Sequence, residues 1–98
     1  MDGLHPAVLR MIAATTEGAA RHGRWVGVCG ALAGDPLAVP VLVGLGVTEL
    51  SVDAGLVPGV KARVRALSHA DCRQRAGELL RLPSAAAVRD ACRRYWPA

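Results

Sequence analysis

The chain has 98 residues, of which 52% are hydrophobic, and its mean hydropathy is +0.29, so we expect a single globular domain. Its net charge of +4 is carried almost entirely by arginine, because Lys61 is the only lysine. The three cysteines, Cys29, Cys72 and Cys92, form neither an even set for disulfides nor a short-spaced zinc site, which predicts reduced thiols.

The sequence gives no sign of membrane insertion or secretion. No apolar run approaches the roughly 20 residues of a membrane span. The start of the chain also lacks the basic and apolar regions of a signal peptide. We therefore expect a cytoplasmic location and no membrane partner.

The apolar pattern predicts five helices and two strands in the order αβαβααα. They are a helix from Pro6 to about Arg21, a strand at Trp25–Val28, a helix at Leu37–Leu45, a strand at Thr48–Val52, and helices from Pro58 to about Leu67, from Ser68 onward, and from Ala85 to about Tyr95.

Local signals place the ends of these helices. Proline at position 6 suits a first helical turn, and Gly23 suits a helix stop because glycine adopts the left-handed conformation at little cost. Asp35, Ser68 and Ser84 each stand where an N-cap is expected. The stretch from Gly30 to Gly34 is predicted to be a loop.

Helices that alternate with apolar strands predict an α/β fold with parallel strands and helical crossovers. Two parallel strands alone leave both sheet edges unpaired. We therefore predict that residues 1–98 are a single partial domain, a piece of a larger α/β fold; if that fold is a (β/α)8 barrel, which takes roughly 250 residues for eight units, the chain is about its last quarter. The alternative is a small helical domain wrapped around a two-stranded core.

Cys29 has an unusual setting, because it ends an apolar strand and is followed at once by glycine in "GRWVGVCGALAGDP" (23–36). A free cysteine is commonly a small buried hydrophobe, yet small neighbours also leave room for a reacting group. The pattern alone leaves both interpretations open. Cys72 and Cys92 share helical faces with apolar residues and are predicted to lie in the core.

Three stretches carry a family resemblance: "LHPAVLRMI" (4–12), "GRWVGVCGALAGDPLAVPVLVGLGVTELSV" (23–52) and "VPGVKARVR" (57–65). They resemble the C-terminal end of Enzyme I of the sugar phosphotransferase system, the phosphoenolpyruvate–protein phosphotransferase, and more distantly pyruvate phosphate dikinase. The string Cys-Gly-x-Leu-Ala-Gly-Asp at 29–35 is its most specific part.

The resemblance implies a barrel that binds phosphoenolpyruvate and Mg²⁺, with the two strands as its seventh and eighth. In the family, the cysteine that matches Cys29 protonates the enolate of pyruvate after phosphoryl transfer. The family's arginines, magnesium carboxylates and phosphorylated histidine match no residue here, so the isolated chain is expected to be inactive. The implied partners are an upstream barrel and phosphohistidine domain, the histidine phosphocarrier protein, and a second copy through self-association.

Two positions depart from the family pattern. Ala31 stands where the family has a glutamate, and Asp53 where it has a small hydroxyl residue. These departures keep an alternative open, in which the chain is a noncatalytic remnant that serves as an assembly or interaction module.

The remaining polar residues suggest structural roles. His5, His22 and His69 are expected to be capping or solvated, Arg24 to lie at the surface, and Asp35 to be an N-cap rather than a metal ligand. The basic stretches 61–65 and 89–94 fall on helices whose other faces are apolar, which is typical of solvated helix faces. No nucleic-acid partner is expected.

Overall fold

The computed structural model describes residues 2–97, which form a mixed α/β fold that is mostly helical. The elements in chain order are α1 (Pro6–Arg21), β1 (Gly27–Cys29), α2 (Ala31–Gly34), α3 (Val39–Gly44), β2 (Glu49–Ser51), a 3-10 turn (Ala54–Leu56), α4 (Val57–Arg65), α5 (His69–Leu79) and α6 (Ala85–Tyr95). The predicted order of helices and strands is confirmed, with one further short helix, α2.

The helix caps follow from the sequence signals. The Ser68 and Ser84 hydroxyls accept hydrogen bonds from the backbone N–H groups of Asp71 (3.3 Å) and Ala87 (3.1 Å), which are N–H donors that a free helix start would leave unpaired. His5 caps α1 in the same way, because its Nδ1 accepts from the N–H of Ala7 at 3.1 Å. Beyond the C-terminal end of α1, Gly23 has a φ of 66°, the left-handed conformation expected there.

The two strands are parallel, as predicted, and pair Gly27 with Glu49, Val28 with Leu50, and Cys29 with Ser51. α2 and α3 lie between them in the chain and form the helical crossover that a parallel pair needs. Both strands are shorter than the predicted spans, because the hydrogen-bonded ladder covers only three residues on each side.

The two faces of this sheet have different environments. The side chains of Val28 and Leu50 pack against the hydrophobic core, whereas Gly27, Cys29, Glu49 and Ser51 are exposed. Successive side chains of a strand point to opposite faces, so the exposed residues share one face. The helices cover the other face.

The core lies between α1, α3, α5 and α6. Its largest fully buried side chains are Leu4, Leu9, Leu42, Leu79, Val39, Val41, Val88, Pro6, Pro40, Cys72 and Cys92. The prediction that Cys72 and Cys92 lie in the core is confirmed.

α3 and α5 approach each other so closely that residue 44 must be glycine. A Cβ on Gly44 would collide with the carbonyl oxygen of Cys72 and would lie 2.8 Å from the Cβ of Ala76. The absence of a side chain at this position therefore sets the separation between the two helices.

Several predicted boundaries were wrong by a few residues. Ala31–Gly34, predicted as a loop, forms the single-turn helix α2, and α3 begins at Val39 rather than Leu37. Asp35 still caps the intervening turn, since its Oδ1 accepts from the N–H of Leu37 at 3.0 Å. α4 ends at Arg65 and has no fully buried residue, so it is the least embedded of the longer helices.

No helix within residues 2–97 combines the length and apolar composition needed to cross a membrane.

Candidate active site

An open cleft of about 600 Å³ lies where the two strands end. Its walls come from the segment after β1 and the segment after β2, which the parallel register brings side by side. The residues that line it are Cys29, Gly30, Ala31, Gly34, Asp35, Ser51, Val52, Asp53 and Leu56. Among these lining residues, the family resemblance assigned a catalytic role to Cys29 alone.

Cys29 is the last residue of β1, and its side chain is exposed beside the cleft. Gly30 follows with a φ of 81°, a conformation that L-residues other than glycine rarely adopt, and apart from its two chain neighbours no residue comes within 4 Å of the place its Cβ would take. The sharp turn into α2 thus leaves open space next to the thiol.

The other two thiols are in a different environment. Burial raises the pKa of the Cys92 thiol to about 11, and burial together with the neighbouring Asp71 raises the pKa of Cys72. Because the thiolate is the reactive form, both groups are poor nucleophiles near neutral pH. Cys29 is therefore the thiol that has access to solvent.

The end of β2 and the segment after it contribute oxygen atoms to their wall of the cleft. The Ser51 hydroxyl donates a hydrogen bond to Oε1 of Glu49 at 3.3 Å. The backbone carbonyl of Asp53 accepts from the N–H of Leu56 at 2.8 Å, while the Asp53 carboxylate makes no hydrogen bond or ion pair with residues 2–97. Asp53 is exposed in the cleft and is its one carboxylate without a protein partner among the described residues.

The two residues that depart from the family pattern lie in this same cleft. Ala31 is on the wall that follows β1, and Asp53 is on the wall that follows β2. Compared with the family pattern, the cleft therefore lacks a carboxylate at Ala31 and has an additional one at Asp53. Sequence reasoning treated the two departures separately, because only the parallel register shows that they line one space.

Asp35 lines the cleft and also belongs to a network of charged residues. Its Oδ2 accepts from Nη2 of Arg89 at 3.1 Å, and Arg89 also contacts both carboxylate oxygens of Asp2, at 2.7 and 2.9 Å. These bonds from Arg89 lower the pKa of Asp2 to about 2, and the two carboxylates raise the pKa of Arg89 above its ordinary value. The sequence predicted only a solvated face for residues 89–94.

The histidines stay outside the cleft. His5 caps α1, and His22 and His69 are exposed at a helix end and in a first helical turn, as expected. Arg24 is exposed, which agrees with its predicted place at the surface. None of the described residues that line the cleft is cationic.

The cleft does not match a complete metal site. Within residues 2–97, no three His, Cys, Asp or Glu side chains are grouped so that they could hold a metal ion. Asp35 is already paired with Arg89, which leaves Asp53 as the available carboxylate in the cleft. The arrangement offers a thiol, a hydroxyl and one unpaired carboxylate.

Comparison with known proteins identifies the family. The family described as "PEP-utilising enzyme, PEP-binding domain" matches residues 1–69. The multiphosphoryl transfer protein of Xanthomonas campestris pv. campestris is 52% identical over 88 residues, which are 90% of this chain and 10% of that protein. The corresponding protein of Rhodobacter capsulatus is 50% identical over 88 residues, or 90% of this chain and 11% of that one.

A third relative is the phosphoenolpyruvate-protein phosphotransferase of Haloferax volcanii, which is 47% identical over 87 residues. That match covers 89% of this chain and 15% of the relative, so the chain spans only a small part of the length of the proteins it matches. On the family match and these identities, the chain belongs to the PEP-utilising enzymes and corresponds to part of their PEP-binding domain.

Proposed function

We propose that this chain acts as the C-terminal segment of a cytoplasmic phosphoenolpyruvate–protein phosphotransferase, and that Cys29 protonates the enolate of pyruvate. The observation that carries the proposal is the exposed thiol at the carboxyl end of β1, facing a cleft with space beside it. The names of the relatives support the reaction class.

The proposal includes a (β/α)8 barrel in which β1 and β2 are the seventh and eighth strands. The sheet supports it in two ways. The strands are parallel, with a helical crossover, and within residues 2–97 the face bearing Cys29 and Ser51 is exposed, which fits the inner face of a barrel. Active sites of this fold lie at the carboxyl ends of the strands, where the cleft is.

The chemical step follows from the thiol. When the phosphoryl group leaves phosphoenolpyruvate for a histidine acceptor, the bond between phosphorus and the enol oxygen breaks and that oxygen keeps the electron pair. The enolate then takes a proton at its methylene carbon from Cys29 Sγ, which gives pyruvate and a thiolate. The thiolate regains its proton from water. A thiol suits this step because it is acidic enough to donate a proton near neutral pH.

Phosphoryl transfer also needs positive charge around the phosphate, and this cleft does not supply it. The lining residues include no arginine, lysine or histidine, and the described residues do not fit a magnesium site by themselves. We propose that the phosphate clamp, the Mg²⁺ ligands and the phosphohistidine belong to other segments of the enzyme, and that the histidine phosphocarrier protein is the acceptor.

The test uses a chimera in which this chain replaces the matching segment of the Xanthomonas multiphosphoryl transfer protein. Cys29→Ala should lower kcat for pyruvate formation by about 10²- to 10⁴-fold and leave the KM for phosphoenolpyruvate within a few fold, because general acids contribute about that much to rate. Cys92→Ala is the control for loss of a thiol. Unchanged kcat in Cys29→Ala, with a folded chimera, would disprove the proposal. The 98 residues alone should not turn over phosphoenolpyruvate.

A second function is favoured by the exposed sheet face and by Trp25, which is 68% exposed next to β1. In this alternative, the chain keeps its fold as a noncatalytic assembly module that pairs through the sheet. A chimera that assembles normally but shows no activity, even with Ala31→Glu, would favour this alternative over the enzyme.

A further inference from the structure

Arg89 on α6 connects the cleft to parts of the chain that are far away in sequence. Its guanidinium donates hydrogen bonds to both carboxylate oxygens of Asp2, 87 residues away, from Nε at 2.7 Å and from Nη2 at 2.9 Å. The same Nη2 reaches Oδ2 of Asp35, 54 residues away, at 3.1 Å. One side chain therefore joins α6, the segment before α1 and the segment after β1.

Both carboxylates also hold backbone. Oδ1 of Asp2 accepts from the N–H of Leu4 at 3.0 Å, and Oδ1 of Asp35 accepts from the N–H of Leu37 at 3.0 Å. The Asp2 carboxylate thus holds the Arg89 guanidinium in place, and the guanidinium in turn holds the Asp35 carboxylate. All three side chains are partly buried, with exposed fractions of 24% to 31%. Partial burial and the two-pronged geometry make such pairs stronger than surface ion pairs.

The position of Asp35 matters for the cleft. It directly follows α2, the single helical turn that connects it to Cys29 and Gly30, and it lines the cleft with them. α2 has only four residues and Gly30 at its start makes no side-chain cap, so it has little stability of its own. An interaction that fixes Asp35 therefore also fixes the C-terminal end of α2, the turn that follows Cys29 and Gly30.

We propose that Arg89 is a positioning residue for the candidate active site. By holding Asp35 against Asp2, it fixes the segment from residue 29 to residue 36 and so the place of the Cys29 thiol in the cleft. The part that concerns catalysis rests on the proposed function, whereas the part that concerns the segment does not.

The chain contains a matched control on the same helix. Arg94 pairs with Asp90 at 3.6 Å, and both side chains are mostly exposed, at 66% and 71%. Neither residue lines the cleft. Arg94→Met therefore removes the same charge from α6 without touching Asp35 or Asp2.

The experiment measures two properties of the chimera with Arg89→Met: amide hydrogen exchange by mass spectrometry, and steady-state kinetics with phosphoenolpyruvate. We expect exchange in the peptide covering 30–37 to become about tenfold faster while the peptide covering α5 is unchanged. We expect kcat to fall about tenfold with KM within twofold, since the thiol is displaced but the phosphate clamp is elsewhere. Arg94→Met should change neither, and Arg89→Lys should recover part of the loss.

A double variant tests whether the effect passes through Asp35. Arg89→Met in the Asp35→Asn background should add little to the effect of Asp35→Asn alone on exchange at 30–37, because the contact through which Arg89 holds this segment is already weakened. Unchanged exchange at 30–37 in Arg89→Met, faster exchange spread equally over α5, or full additivity of the two substitutions would each overturn the proposal. If Cys29→Ala proves fully active while exchange at 30–37 still responds to Arg89, the catalytic role of Cys29 fails and the positioning of the segment stands.

Discussion

Cys29 and Ser51 lie opposite each other at the last paired position of the parallel sheet, one at the carboxyl end of each strand. Both side chains are exposed, and both line the same cleft. The pairing means that the thiol and the segment that continues to Asp53 are held at a fixed separation by backbone hydrogen bonds. The thiol and the Ser51 hydroxyl are therefore neighbours on the exposed face of the sheet, where both border the cleft.

The three thiols should react at very different rates. In the native protein, a mild alkylating reagent should modify Cys29 at least about tenfold faster than Cys72 or Cys92, because those two are buried and their pKa values are raised. Peptide mapping after partial labelling measures the three rates. In urea, which unfolds the chain, the three alkylation rates should converge; this control shows that the fold causes the difference between them. Faster native labelling of Cys72 would contradict the assignment.

Gly44 and Gly77 should respond to alanine in opposite directions. Gly44→Ala should destabilise the fold by about 1–3 kcal/mol, since the new methyl group would overlap α5 at Cys72 and Ala76. Gly77→Ala is the matched control in the last turn of α5, where a Cβ meets nothing within 4 Å, and it should stabilise the fold by about 0.5–1 kcal/mol. Urea unfolding measures both. Equal effects of the two substitutions would show that the packing of α3 on α5 is described wrongly.

Stability should fall when acid protonates Asp2. Its pKa is about 2 in the fold, below the ordinary 3.8, so the unfolded chain takes up the proton first as pH falls. The stabilisation is complete above about pH 5, decreases as the pH falls through 3.8, and is mostly lost by about pH 2. Asp2→Asn should lower the free energy of unfolding by about 1 kcal/mol at pH 7 and by almost nothing at pH 2.

The control for this effect is Asp90→Asn, which removes a carboxylate from an exposed pair and should change stability by less than about 0.5 kcal/mol. A loss from Asp2→Asn that is as large at pH 2 as at pH 7 would show that its pairing with Arg89 is not the cause.

The isolated 98 residues should not persist as a compact monomer. Both outer edges of the two-stranded sheet are unpaired within residues 2–97, and Trp25 is 68% exposed next to them. Sedimentation at low micromolar concentration should show self-association, and Trp25→Glu should weaken it. A single monomeric species at this concentration would contradict this prediction.

The local features of the fold were predictable from the sequence because they depend on neighbouring residues. Ser68, Ser84 and Gly23 signal helix ends within a few positions, and all three do what their residue types indicate. α2 was missed because a single turn of four residues, Ala31–Gly34, is too short to show a helical periodicity. The start of α3 was misplaced because Asp35 caps a turn that precedes the helix.

The site was predictable only in part. Cys29 stood out through its glycine neighbours and the family resemblance; its side chain is exposed, and its catalytic role stays a prediction. The contact between Arg89 and Asp2 joins residues 87 positions apart, and no local pattern announces such a pair. The common cleft of Ala31 and Asp53 likewise depends on the register of the strands, which three-residue strands do not reveal in sequence.

The most direct test of the proposed role of Cys29 separates the two halves of the reaction in a single turnover. The chimera with Cys29→Ala is mixed with phosphoenolpyruvate, and phosphohistidine and pyruvate are measured by rapid quench while the enol of pyruvate is followed by ultraviolet absorbance. The account predicts that phosphohistidine forms at close to the rate of the unsubstituted chimera while pyruvate appears about 10²-fold more slowly and the enol accumulates. Pyruvate that forms as fast as phosphohistidine, with no enol detected, would contradict it.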